Sequence, residues 1–369
     1  MALRYWVGGN DTWNSTAGLK WSLTSGGPGG QAVPGIDDDV ILDAASGVVT
    51  ITTAANVTAR SFVATTFTGT FIGSGNFQLL GSNTGVQGSG KSIELGSGMT
   101  YSYTGIWTIG ANRGSGSINF NGKSHNGGNI NINGSSPNAA TAQYSLVNDI
   151  TNTVGAMTVG GCTFNTNNYN ITVVRFDIVG GANTKVLNFG TSIITLTQTL
   201  SACWNNANTG SLTINGTYTI RTTGIVTSSI TFIGGGATYY HLELLRGNGT
   251  GTVIIQGSNN FFYFTDVAGT APHDITFTAG TQNTFQNFNV RGASTSARVR
   301  LLVTGTGATP LLDKGGDSGY VYCDFLNLGS NTTSVTPANT WYAGYNSIGT
   351  STGWVLRNPP GMLLMGVGG

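Results

Sequence analysis

The sequence predicts an all-β chain, a parallel β-helix closed by capping segments at both ends, and three observations carry that prediction. Only 8% of the 369 residues are charged while 58 are Gly, a usage that favours turns and strands over helices. Hydrophobic residues rich in Ile, Val, Phe and Tyr make up 39% of the chain, enough to bury a core and argue against disorder. They fall in short alternating runs broken by Gly, Asn or Ser-Gly, with no helical periodicity longer than about two turns.

Along the chain, residues 1–47 stand apart as an N-terminal cap or attachment segment. They hold three of the seven Trp residues (Trp6, Trp13, Trp21) and the acidic run Asp37, Asp38, Asp39. The stretch Gly26-Gly27-Pro28-Gly29-Gly30 lacks a following helix or Lys and reads as a turn rather than a phosphate loop. Residues 48–320 form the expected solenoid body, with strands such as FQLL at 77–80, IITL at 193–196 and VIIQ at 253–256. Within it Ile171, Val173, Leu187, Phe189, Leu212 and Ile214 are expected to face inward, because alternate strand residues share a face. Residues 321–369 form the C-terminal cap and an apolar tail that cannot join a strand at Pro359-Pro360.

Internal similarity supports a coil. The segment opening Ile230-Thr231-Phe232 aligns without gaps on that opening Ile275-Thr276-Phe277, a shift of 45 residues. Such a period fits two solenoid coils of about 22 residues or one propeller blade of about 40–45. The uneven copies and the lack of a blade signature favour the solenoid, which can also grow to this length without splitting into domains.

Composition narrows the function. A net charge of +1 without a Lys/Arg run gives no footprint for nucleic acid. Met1 to Val7 is too short and polar for a signal segment, and no run of about 18 apolar residues occurs, so synthesis in a cytoplasm without membrane contact is expected. Cys162, Cys203 and Cys323 are too dispersed for a disulfide framework or a zinc site and read as small buried hydrophobes. His125, His241 and His273 fall at no ligand spacing. No cofactor is expected.

Two kinds of ligand remain open. Asp37, Asp38, Asp39 and Asp43 could supply hard oxygens to Ca²⁺, or could simply guard a strand entrance. Tyr239, Tyr240, Trp341 and Tyr342, with the aromatic run at 261–264, could stack on sugar. Alternation lets only about half of such a run face outward, and Trp341, Tyr342 and Trp354 would equally cover a last coil. Glycoside hydrolysis needs two carboxyls about 5 Å or about 6.5–9.5 Å apart. Of the scattered acids Glu94, Asp149, Asp177, Glu243, Asp266, Asp274, Asp313, Asp317 and Asp324, no pair among the first six recurs one coil apart in a way that sequence can certify, and the chain is read as a non-enzyme.

The opening YWVGGNDTWN (residues 5–14), the segment leading to DDDVILDA (residues 37–44) and the closing VYCDFLNLGSNT and ANTWYAGYNSIGTSTGWV (within residues 321–355) resemble glycine-rich β-helical structural proteins of tailed phages, of the tail-fibre, tailspike or minor virion type. The resemblance covers nearly the whole chain to Val355. It implies a virion component with a parallel β-helix body, most simply a tail fibre or tailspike touching host-surface glycan. A capsid decoration or head-fibre protein, and a β-helical polysaccharide depolymerase, are the alternatives. Expected partners are other virion proteins and further copies of itself, as a homotrimer that would hide apolar area on a body so poor in charge. Trp6, Trp13, Trp21 and the tail residues Met362, Leu363, Leu364 and Met365 are the candidate assembly contacts.

Overall fold

The computed structural model describes residues 2–14, 20–80, 90–110, 115–133, 142–181, 183–206, 210–223, 227–267, 269–316, 319–329 and 332–356. These residues form strands that are almost all parallel, with one 3-10 turn at Ala44–Ser46 among them. No helix among them is long and apolar enough to cross a membrane. The chain divides into two compact units, one of residues 1–195 with 207–218, the other of residues 196–206 with 219–369, and each is a parallel β-solenoid.

In the first unit, Leu3–Trp6 runs antiparallel to Trp21–Ser22 and parallel to Asp39–Ile41. From there a coil typically lays down three short strands, as in Asp39–Ile41, Thr50–Thr53 and Val57–Ala59. The next coil repeats them in register, pairing Val40 with Phe62, Ile51 with Phe71 and Val57 with Phe77. Because the strands stack in register, inward residues of successive coils also stack. Phe62, Phe71 and Phe77 converge at 5.0–6.2 Å, and Phe77 lies flat against Trp107 of the following coil at 4.7 Å. Trp6, Trp13 and Trp21 cover the start of this column, with Trp13 contacting Trp21 at 4.7 Å and Phe77 at 5.1 Å. On the outer face Asn165, Asn188 and Asn215 form an amide ladder with links of 2.6 and 2.7 Å.

Coil length varies, and glycine is what lets neighbouring corners touch. A Cβ on Gly75 would overlap the carbonyl oxygen of Ala55, and one on Gly105 would overlap that of Gly75, so no side chain fits this corner. Gly105→Ala is expected to lower the unfolding free energy by about 1–3 kcal/mol through overpacking, read as a lower denaturant midpoint.

In the second unit Ile230 pairs with Val253 and Val253 with Ile275, which are coils of 23 and 22 residues. The 45-residue repeat is therefore two coils, and its copies lie on one sheet two coils apart. Across this region each coil has only two strands. One has four to six residues (Ile230–Ile233, Val253–Gln256, His273–Thr278) and the other eight or nine (Thr238–Leu245, Asn260–Val267, Gln282–Val290). A third short sheet of Val321–Cys323, Trp341–Ala343 and Trp354–Leu356 joins later.

Of the expected inward residues, Ile171, Val173, Leu187 and Phe189 are fully buried. Leu212 and Ile214 are only half-buried, because their strand Leu212–Gly216 is the outermost of its sheet.

Candidate functional site

The long strands of the second unit break strict alternation at one place. Tyr239 is buried, Tyr240 and His241 both face outward, and Leu242 is buried again. The same in-out-out-in order recurs at Phe261, Phe262, Tyr263 and Phe264, and at Phe285, Gln286, Asn287 and Phe288. Backbone pairing passes from Tyr239↔Phe261 to His241↔Tyr263 and from Phe261↔Phe285 to Tyr263↔Asn287, with the same offset between coils on both sides of this place. The strands bend outward together here without losing register, so two neighbouring side chains face solvent and the sheet continues.

The inward rings stack along the core. Phe261 stacks on Tyr239 at 5.6 Å and on Phe285 at 5.5 Å, while Phe264 stacks on Phe288 at 5.5 Å. The outward rings form a ridge. Tyr240 and Phe262 are parallel within 6° at 5.2 Å, and Tyr263 meets both edge-on at 5.6 and 4.8 Å. Phe262 is 43% exposed and Tyr263 37%, an unusual surface for rings that could have pointed inward.

Polar rows flank the ridge. On one side Thr238, Asn260 and Thr284 share a register position and line, with Phe262 and Gln286, a groove of about 230 Å³. On the other, His241 lies 3.3 Å from the Thr219 hydroxyl and 3.1 Å from that of Thr265, tying three coils together. Arg221 and Glu243 pair at 2.5 Å beside it. Burial lowers the His241 pKa, with Arg221 acting in the same direction and Glu243 opposing. The result is apolar rings edged by hydroxyls, amides and one ion pair, a surface able to stack on a sugar face and bond its hydroxyls.

Comparison with known families, curated proteins and solved structures gives no match. The functional reading therefore rests on the residues of this chain.

Of the aromatic candidates, Tyr240 lies on the ridge, and Tyr239 does not. Tyr239 is fully buried, donates to Gly234 O at 2.7 Å and accepts from Trp204 Nε1 at 3.1 Å. Trp341 is likewise buried, against Phe288 at 5.3 Å and Trp354 at 5.4 Å, and covers core rings rather than offering a face. Tyr342 is 7% exposed beneath Tyr322, which stacks on it at 5.0 Å. Sequence reasoning placed two rings of the 261–264 run outward, but neighbours rather than alternates face solvent. It passed over His241, whose signal is its matching offset, one coil back, to Tyr263.

The acidic run is dispersed onto protein donors. Asp39 is buried and ion-paired with Arg60, and it accepts from the Ser61 hydroxyl at 2.5 Å. Asp38 accepts from the Ala2 and Gly35 amides, and Asp43 caps the turn Ala44–Ser46. Asp37 is exposed. Among the described residues no group of three or more His, Cys, Asp or Glu side chains could hold a metal ion, and Asp37, Asp38, Asp39 and Asp43 are not brought together as one set of ligands.

Trp6, Trp13 and Trp21 are at most 1% exposed within their own chain, so they close the first coil and cannot reach another subunit. Met362, Leu363, Leu364 and Met365 lie outside the described residues, as does Asp317. The other body acids are engaged with partners: Glu94 with Lys91, Asp149 with the Asn170 amide, Asp177 with Arg175, Glu243 with Arg221, Asp266 with Arg246 and His273, Asp274 with Arg300, Asp313 with Gln282 and Asp324 with the Tyr345 amide. All three cysteines are buried thiols, and burial pushes those of Cys203 and Cys323 up to about 12.

Proposed function

We propose that this chain is a non-enzymatic structural protein of a tailed-phage particle, which contacts host-surface glycan through the ridge of Tyr240, Phe262 and Tyr263. The ridge carries the proposal. Three outward-facing rings lie on two successive coils, at a bend that recurs in three, between polar rows that can bond sugar hydroxyls. The engagement of the body acids with basic, amide or backbone partners supports recognition without cleavage. The phage assignment draws on the terminal motifs, and it includes assembly as a homotrimer, which a monomeric mass at micromolar concentration would remove.

Calorimetric titration with oligosaccharides from the host envelope tests the ridge. Tyr240→Ala and Phe262→Ala are each expected to weaken binding about tenfold, the equivalent of one lost stacking contact of about 1–1.5 kcal/mol. Binding unchanged in both variants would end the glycan reading. Localisation on intact particles by cryo-electron microscopy tests the rest. Density at the tail supports a fibre or tailspike, while density over the capsid lattice makes the chain a decoration protein.

A further inference from the structure

We infer a second, independent binding site in the second unit, specific for a carboxylate carried on a sugar ring. It is a cavity of about 480 Å³, within the size range of small-ligand pockets, set over the sheet that contains His273–Thr278 and Val299–Thr304. Its floor is a row of outward residues in three consecutive coils, Asp274, Arg300 and Asn327, which pair in register. Its walls include Thr250, Thr295 and Ser296.

The charge balance points to an anion. Arg300 and Asp274 neutralise each other in a two-pronged pair of 2.6 and 2.8 Å. Arg298 has no such partner. Its Nε donates to Asn346 O at 3.0 Å and its Nη1 to Thr295 O at 2.6 Å, both neutral carbonyls, and among the described residues no carboxylate lies within ion-pair distance. One full positive charge therefore remains, held in a fixed orientation with both Nη2 protons and the second Nη1 proton left to meet a ligand. A guanidinium so oriented favours a carboxylate, with which it forms paired, charge-assisted hydrogen bonds.

The rest of the lining points to a polyol. Thr250, Thr295, Ser296 and Asn327 can both donate and accept, as sugar hydroxyls require. The His273 ring behind the wall offers nothing, since its nitrogens face Ala271 O at 3.0 Å and Asp266 Oδ2 at 2.6 Å. The wall is also pre-formed. Asp274 is held through its side chain by Arg300 and through its carbonyl by buried Arg246 at 3.1 Å, so binding would order little that is not already ordered.

Calorimetric titration of the full chain with galacturonate, galactose and inorganic phosphate tests this site. Galacturonate is expected to bind at least tenfold tighter than either of the others, and to weaken at high salt. Arg298→Gln should weaken galacturonate at least tenfold, while Arg298→Lys retains part of the affinity. Ser296→Trp, at an exposed position, should block the cavity without touching the fold and decides the matter if Arg298→Gln does not fold. Tyr240→Ala should leave galacturonate binding unchanged, which separates this site from the ridge. Equal binding of galactose or phosphate, or full affinity in Ser296→Trp, would overturn the assignment.

Discussion

Asp266→Ala is expected to destabilise the second unit by about 3–5 kcal/mol, the range for removing one partner from a buried ion pair. Asp266 and Arg246 have fully buried side chains that meet at 2.7 Å, and the other carboxylate oxygen lies 2.6 Å from His273 Nε2. The loss of attraction is the smaller part of the effect. Without the carboxylate, Arg246 remains inside a low-dielectric interior with only the carbonyls of Gly251 and Asp274 to answer its charge. The comparison that isolates this cause is Asp266→Ala combined with Arg246→Met, which removes the stranded charge and should recover part of the loss. Urea unfolding of the single and double variants measures it, and a single-variant loss below about 1 kcal/mol would mean that water reaches Arg246.

The second large effect is a loss of stability in acid that originates at His125. Its side chain is fully buried among Tyr101, Tyr103 and Phe120, with Nδ1 2.9 Å from the Tyr101 hydroxyl, which itself accepts from Trp107 Nε1 at 2.8 Å. Trp107 donates to the Tyr101 oxygen, which leaves the Tyr101 proton free to point at Nδ1 in the tautomer that carries its proton on Nε2. Burial lowers the His125 pKa to about 4, against weaker upward contributions from nearby backbone carbonyls. The unfolded chain therefore takes up a proton before the folded one does. Stability from this residue is complete above about pH 6.5 and is lost as pH falls toward 4, at about 1.4 kcal/mol per pH unit, or roughly 3 kcal/mol in all. Carboxylates titrate in the lower part of this window, so the informative quantity is the difference between wild type and His125→Gln. That difference should shrink steadily from pH 7 to pH 4, and a difference independent of pH would place the imidazole in contact with solvent.

Much of the fold is legible in the sequence. Composition, short strands and the 45-residue recurrence lead to a solenoid with coils of about 22 residues, and the observed pairs Ile230↔Val253 and Val253↔Ile275 have that spacing. These features are legible because they are local or strictly periodic. The site is less so. Whether Tyr239 or Tyr240 faces out depends on a bend shared by successive coils, which is fixed by pairing with strands some 22–24 residues away rather than by neighbours in sequence. The same holds for Asp266, which reads as a loop acid until Arg246 and His273 are brought to it from different coils. The half-burial of Leu212 and Ile214 depends on where a sheet stops, which no alternating pattern records.

The in-register bend also limits how this protein can change over generations. A single-residue insertion within Thr238–Leu245 or Asn260–Val267 would turn every following side chain of that strand to the opposite face, sending Leu242 or Phe264 into water. Duplication of a whole coil would instead reproduce its neighbours' contacts, since each coil of a solenoid touches only the next. Variation by complete coils would lengthen the ridge by one rung at a time, so the number of rungs becomes a heritable trait that can be counted and selected.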